Sequence, residues 1–192
     1  MSGPSLVITG ATLWHGRAYA DRAPVSGATG DVVIQDGVVT GVGQVDRPAG
    51  AQVIDATGLA LLPGFVDLHT HLREPGREDA ETIATGSAAA AAGGFTAVLA
   101  MANTDPVTDT AEAAERVLDL GRQCGLVDVQ PVGAVTKALA GAELAELALM
   151  HRSRARVTVF SDDGRCVHDA RVMRRALDYI KAFGGVISQH SQ

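Results

Sequence analysis

The sequence is poor in several features that mark particular classes of protein. Its 192 residues include two cysteines, 4% aromatic residues and no block of like charges. Cys124 and Cys166 lie far apart, so they form neither a disulfide framework nor a paired-cysteine metal motif, and we expect reduced thiols. The net charge of −6 is spread along the chain, which argues against a nucleic-acid partner because such proteins usually carry a basic face.

Long hydrophobic runs are also missing. The N-terminus has no basic stretch followed by an apolar one, as a signal peptide would have. The longest apolar run, residues 87–94, is rich in alanine and glycine and is too short to span a bilayer. We therefore expect a cytoplasmic protein with no membrane partner.

Residues 1–62 have the pattern of a small β domain. Short runs rich in valine and isoleucine alternate with glycine-containing turns, and residues 18–29 form a polar loop. Asp36-Gly37 between two such runs indicates a tight hairpin. We predict that this segment is a small antiparallel sheet, part of a β-sandwich that precedes a larger domain.

Residues 63–192 have a different periodicity. Five nearly continuous apolar runs alternate with four helical patterns, as in right-handed βαβ units with a parallel sheet. The predicted strands are FVDLHTH, FTAVLAM, LVDVQPVGAV, RVTVFS and GVISQH, and the predicted helices cover residues 81–92, 110–124, 143–151 and 169–183.

Polar side chains follow several of these strands, which helps to choose between an open sheet and a barrel. An open sheet concentrates its ligand at one point, commonly with a glycine-rich phosphate loop, and no such loop is present. Polar residues at many strand ends are typical of a TIM-like (β/α)8 barrel. Five strands are fewer than eight, so we expect an incomplete barrel, either a fragment or one that another chain completes. The polar residues are His69, His71, Asn103, Asp162, Asp163 and His190.

His69 and His71 give the sharpest local signal. Residues two apart in a strand point to the same face, and imidazole nitrogen is a common zinc ligand. From the residues alone, several simpler interpretations remain open. The two histidines could be ordinary polar residues at a strand end, and the same holds for His190. Asp162-Asp163-Gly164 could be a turn, Asn103 a loop cap, and Arg73 part of a surface ion pair.

Five segments together resemble the dihydroorotases of the amidohydrolase superfamily, in the bacterial branch that carries FSDDG. The resemblance covers residues from about 5 to 192 and corresponds to the N-terminal part of such an enzyme. The segments are PGFVDLHTHLREPG, MANTDP, GAVTKALAGAELAEL, VFSDDG and QHS.

The resemblance implies a set of roles. One or two zinc ions would bind His69, His71, Asp163 and His190, with Asp163 preferred over Asp162 as the carboxylate ligand. The substrate's carboxylate would be held by His71, Arg73 and Asn103. The catalytic aspartate of the family would lie beyond Gln192. Lys137 is interpreted as a surface residue and not as a carboxylated metal bridge.

The implied reaction is the reversible hydrolysis of L-dihydroorotate to N-carbamoyl-L-aspartate in pyrimidine biosynthesis. The resemblance also implies a homodimer, with aspartate transcarbamoylase as a possible partner. Two alternatives stay open: a related cyclic amidase of the allantoinase or dihydropyrimidinase type, and a non-catalytic fragment or scaffold.

Overall fold

The computed structural model describes residues 5–14 and 27–191 and divides into two compact units, Met1–Pro63 and Gly64–Gln192. Much of the polar loop predicted at residues 18–29 lies outside the described residues. The first unit contains strands β1 (Ser5–Leu13), β2 (Ala28–Gln35), β3 (Val38–Gly43), β4 (Gln52–Asp55) and β5 (Ala60–Leu61).

The predicted hairpin between β2 and β3 is confirmed. The two strands pair antiparallel, with Gln35 opposite Val38, so the turn consists of Asp36 and Gly37 alone. Both turn residues have positive φ, 52° and 76°. Two-residue turns of this kind match the right-handed twist of the strands that they connect.

One part of the prediction for this unit is wrong. β4 and β5 pair with β1 in parallel, so the sheet is mixed and not antiparallel throughout. The described residues form one sheet, in the order β3-β2-β1-β4 with β5 also beside β1, and the sandwich that it would belong to stays a prediction. Alternating apolar residues identify a strand but not its direction. Residues 44–51 carry the chain from β3 past β2 and β1. β4 therefore lies on the far side of β1 and runs parallel to it, where an antiparallel pair was expected.

The second unit alternates strands and helices, as predicted. Its strands β6, β7 and β8 pair in parallel, and β9 pairs in parallel with β10. A single parallel bridge from Gly133 to Phe160 connects the two groups. The elements are β6 (Phe65–Thr70), α1 (Ile83–Ala92), β7 (Phe95–Ala100), α2 (Ala111–Cys124), β8 (Asp128–Pro131), α3 (Leu147–Arg152), β9 (Val159–Phe160), α4 (Ala170–Ile180) and β10 (Val186–Ile187).

Three helices begin one or two residues after their predicted starts because the preceding residue caps them. The hydroxyls of Thr82 and Thr110 and the carboxylate of Asp169 accept hydrogen bonds from the first turns of α1, α2 and α4. Such caps satisfy backbone N–H groups that have no partner within the helix. None of the described helices is long and apolar enough to cross a membrane.

The helix predicted at residues 143–151 begins later, at Leu147. The backbone of the preceding segment pairs with the segment that follows β8: Lys137 N donates to Glu143 O, and Ala145 N donates to Val135 O. These residues are therefore unavailable for helical hydrogen bonds, a tertiary effect that local propensity does not contain.

Gly133 allows the second unit to pack tightly where its two groups of strands meet. A Cβ atom at this position would lie 2.9 Å from both the Met150 sulfur and the Phe160 ring. Both neighbours are completely buried, in the core cluster shared by α3, α4 and β9. The close approach brings the end of β9 alongside the segment that follows β8. Because the strands are parallel, the residues that follow each of them lie along one edge of the sheet.

Candidate metal centre

His69 and His71 lie at the end of β6 and face the same way, as their spacing predicts. Their rings are 5.1 Å apart and meet edge to face. Each Nε2 atom points at the carboxylate of Asp163, at 3.4 Å from His69 and 3.3 Å from His71. Two residues of one strand thus approach a third residue that follows β9.

Asp163 is the centre of this group. Its side chain is only 4% exposed, and His190 Nδ1 lies 2.7 Å from Oδ1. Burial acts to raise the pKa of Asp163, but the hydrogen bond from His190 and the charges that His69, His71 and His190 carry when protonated outweigh it. The pKa therefore lies below its ordinary value. The carboxylate is held ionised among three imidazoles.

The group can hold a cation. One ligand atom each from His69, His71 and Asp163 lies within 4.8 Å of the other two. His190, through its contact with Asp163, borders the same space. Imidazole nitrogens and a buried carboxylate oxygen are a donor set that suits a transition metal.

Asn103, which follows β7, determines how His71 can be protonated. Its Nδ2 lies 3.3 Å from Asp163 Oδ2, and its Oδ1 lies 3.0 Å from His71 Nδ1. A carboxylate only accepts hydrogen bonds, so the amide nitrogen must face Asp163 and the amide oxygen must face His71. His71 therefore donates from Nδ1. Its Nε2 keeps a lone pair directed at the candidate metal position, an arrangement typical of metal-binding histidines.

Asp162 points away from the histidines, in agreement with the preference for Asp163 that the family resemblance implies. Its carboxylate is 1% exposed and accepts hydrogen bonds from the backbone N–H groups of Val135 and Thr136, at 2.7 and 3.0 Å, and from the Thr136 hydroxyl. The structure thus places Asp163, and not Asp162, beside His69, His71 and His190. Gly164, with φ of 80°, turns the chain immediately afterwards.

Arg73 and Lys137 are not drawn into this group. Arg73 is exposed two residues after His71, and its guanidinium makes no hydrogen bond or ion pair with any other described residue. Lys137 pairs with Glu143 at 2.9 Å and is 61% exposed, so it does not bridge the histidines.

Two supporting contacts were not predicted from the sequence. Besides the Thr136–Asp162 contact, the Ser161 hydroxyl donates to the Ser188 carbonyl oxygen at 2.6 Å, which joins the ends of β9 and β10. Neither Thr136 nor Ser161 stands at a spacing that marks it in the sequence. Only the three-dimensional pairing of the strands reveals these two contacts.

Solved structures with the same fold include hydantoinases and dihydropyrimidinases. An L-hydantoinase (dihydropyrimidinase) from Arthrobacter aurescens superposes with a TM-score of 0.73 at 22% identity, over 95% of this chain and 39% of that one. A dihydropyrimidinase from Brevibacillus agri gives a TM-score of 0.72 at 23% identity, over 95% and 39%. At this identity the likeness establishes the fold alone.

The chain belongs to the dihydro-orotase-like family, whose model matches residues 58–192. It is 61% identical to a dihydroorotase of Streptomyces coelicolor over 88% of this chain and 39% of the relative. It is 55% identical to a dihydroorotase of Leifsonia xyli over 100% of this chain, and 60% identical to one of Mycobacterium tuberculosis over 84%. The chain spans 41% and 38% of those two relatives. The family resemblance inferred from the five sequence segments is thus confirmed.

Proposed function

We propose that this protein is a zinc-dependent dihydroorotase that reversibly hydrolyses L-dihydroorotate to N-carbamoyl-L-aspartate in pyrimidine biosynthesis. The observation that carries the proposal is the buried Asp163 carboxylate facing imidazoles from β6 and from the segment after β10. Membership of the dihydro-orotase-like family and relatives that carry the name dihydroorotase support the same reaction.

His69, His71, Asp163 and His190 would hold the zinc, as one ion or as two adjacent ions. The set of nitrogen and oxygen donors is one that zinc prefers, and the Asn103 contact leaves His71 Nε2 free to bind. A bound zinc ion would polarise the ring carbonyl and lower the pKa of a water molecule.

Arg73 and Asn103 would bind the substrate's carboxylate. His71, to which the resemblance gives the same role, would act only by holding Asn103, because its Nδ1 donates to Asn103 and its Nε2 would bind the metal. The Arg73 guanidinium has no partner among the described residues, and its planar fork matches a carboxylate. Asn103 uses one N–H of its amide on Asp163 and retains the other. Binding the carboxylate here would orient the ring amide toward the metal ligands. The attack of water on the amide carbonyl would then be effectively intramolecular.

Strands β6 to β10 would be five consecutive strands of a (β/α)8 barrel. Their parallel pairing and intervening helices support this arrangement. So does β6, whose Phe65, Val66 and Leu68 are each more than half exposed, as in a strand that lacks its second neighbour. We assign no general acid or base among the described residues. The proposal places that group, an aspartate, on a further strand.

A cyclic amidase of the allantoinase or dihydropyrimidinase type is the second candidate, because the solved structures with this fold include dihydropyrimidinases. The exposed Arg73 favours an acidic substrate, which distinguishes dihydroorotate from dihydrouracil. A scaffold without activity would not need the convergence of three histidines on one carboxylate. A homodimer and a transcarbamoylase partner remain predictions.

The test is turnover of dihydroorotate, dihydrouracil and allantoin by a zinc-loaded protein in which the remaining barrel strands accompany these residues, in the wild type and in Arg73→Met. We expect dihydroorotate to be preferred by the wild type. Its KM should rise at least about tenfold in Arg73→Met, because a charged hydrogen-bonding partner is lost. Arg77→Met is the matched control, since the Arg77 side chain is 67% exposed and its guanidinium makes only a 3.8 Å contact with Asp79, while its backbone hydrogen bonds are unaffected by the substitution.

Preference for dihydrouracil would support the second candidate instead. An unchanged KM for dihydroorotate in Arg73→Met would exclude the proposed role of Arg73 while leaving the reaction itself intact.

A further inference from the structure

Two consecutive carboxylates, Asp162 and Asp163, are both buried but serve different neighbours. Asp163 faces the histidines. Asp162 Oδ1 accepts from the Val135 and Thr136 N–H groups, and Oδ2 accepts from the Thr136 hydroxyl. A carboxylate that is 1% exposed would be costly without such partners, and here three donors compensate it.

The Thr136 hydroxyl extends this contact into the loop that follows β8. It donates to Asp162 and accepts a hydrogen bond from Gly141 N at 2.9 Å. Within that loop Ala138 and Leu139 have positive φ, 51° and 56°, a conformation that most residues avoid. The hydroxyl is thus the point at which an unusual loop joins the strand end that carries Asp163.

The peptide between Asp162 and Asp163 is consequently held from two sides. Asp162 attaches the end of β9 to the segment after β8, and the preceding Ser161 attaches it to the segment after β10. Asp163 lies in a turn that begins at Asp162 and is closed by a hydrogen bond from Arg165 N to Asp162 O at 2.9 Å, so anchoring Asp162 restricts where the Asp163 carboxylate points.

We infer that Asp162 is a positioning residue for the metal ligands, with the Thr136 hydroxyl as its essential partner. It touches neither the histidines nor any position open to substrate, and it acts by aiming the Asp163 carboxylate. The metal-affinity part of the inference rests on the proposed function, whereas the aim of Asp163 at His190 does not.

The experiment compares Thr136→Val, which removes the hydroxyl at nearly constant volume, with Thr136→Ser, which retains it. The zinc dissociation constant of the full chain is measured by competition with a chelator. We expect an increase of roughly 10–100-fold in Thr136→Val, as is typical when a group behind a metal ligand is lost. Thr136→Ser should restore most of the affinity. Thr108→Val is the matched control, since it removes another buried threonine hydroxyl, one that contacts Thr104.

A second readout does not depend on metal. In the zinc-free chain, the imidazole N–H signal of His190 in a nitrogen-15 NMR spectrum reports its hydrogen bond to Asp163. The signal should shift or vanish in Thr136→Val and return in Thr136→Ser. If Thr136→Val does not fold, Asp162→Asn replaces it, because an asparagine keeps the oxygen for the two backbone N–H groups and loses the acceptor for the hydroxyl.

The outcomes separate the two ideas. A wild-type chain that binds no zinc would defeat the proposed function, and the His190 signal would still decide the positioning role. Thr136→Val and Thr136→Ser that match in zinc affinity and in the His190 signal would overturn the inference. That result would hold even if both variants melted earlier, because a lower melting temperature alone indicates a merely structural contact.

Discussion

Two charged clusters in the second unit differ in the burial of their carboxylates and in whether a permanent cation contacts them. The strand-end cluster consists of His69, His71, Asp163 and His190. In the helix-face cluster, Arg154 contacts both oxygens of Asp119 at 2.9 Å and Glu115 Oε2 at 3.0 Å. Each of the two carboxylates thus already contacts a permanent cation, and all three side chains reach solvent, so the remaining negative charge requires no bound ion. These hydrogen bonds also raise the pKa of Arg154 itself.

The strand-end cluster has the opposite character. Its carboxylate is buried rather than exposed, and its neighbours are imidazoles, which are cations only when protonated. A metal ion would supply the missing positive charge and would use the imidazole lone pairs at the same time. Exposed and saturated clusters therefore contribute modestly to stability, whereas a buried and unsaturated one indicates a binding site.

The largest expected effect comes from Asp163→Asn. The amide keeps the shape of the side chain but removes the negative charge that the three imidazoles surround. Substituting a residue that hydrogen-bonds to a metal ligand typically lowers metal affinity roughly 10–100-fold. Because Asp163 would itself be a ligand, zinc affinity in Asp163→Asn should fall by more than that, as measured by chelator competition.

Asp119→Asn is the matched control for this comparison, because it removes one carboxylate charge from the helix-face cluster. Its zinc affinity should equal that of the wild type. Similar losses in both variants would mean that overall charge, and not the strand-end cluster, determines metal binding.

A smaller effect is expected from Asn103→Leu, which removes both the acceptor for His71 and the donor to Asp163. His71 would no longer be held in the tautomer that leaves Nε2 free, so zinc affinity should fall by about tenfold. Asn103→Asp separates the two contacts: it keeps an acceptor for His71 but places a like charge beside Asp163. Measuring zinc affinity without substrate isolates this role from carboxylate binding, and wild-type affinity in Asn103→Leu would contradict it.

A feature of the strand-end cluster can be predicted from the sequence when the residues that produce it are close together along the chain. The convergence of His69 and His71 follows from the two-residue period of a strand, and is visible in the sequence. The choice between Asp162 and Asp163 is not, because it depends on Thr136, a residue 26 positions earlier that supplies the hydroxyl partner. The same limit explains two errors elsewhere. The late start of α3 arises from backbone pairing with residues six to ten positions earlier, and the parallel pairing of β4 with β1 joins segments more than 40 residues apart, so neither follows from the local pattern.

The smallest effect is expected from Arg154→Met in the helix-face cluster. The pKa of Glu115 is lowered first by the backbone N–H of Arg154 and further by its guanidinium, and the pKa of Asp119 is lowered chiefly by the guanidinium. A carboxyl group whose pKa is depressed in the folded state stabilises the fold at pH values above its ordinary pKa. That ordinary pKa is 4.5 for Glu115 and 3.8 for Asp119. That contribution disappears as the pH falls through the folded pKa.

The melting temperature of Arg154→Met should therefore lie slightly below that of the wild type at pH 7, and the difference should shrink below the ordinary pKa values of the two carboxyl groups. High salt should shrink it as well, because all three side chains are partly exposed. Arg174→Met, which loses only a 3.8 Å contact with Asp178, should change the melting temperature still less. Zinc affinity should be unaffected in both variants. A melting difference that persists in acid and in high salt would show that Arg154 acts through packing of its aliphatic stem, and the contrast between the two clusters would then not rest on charge.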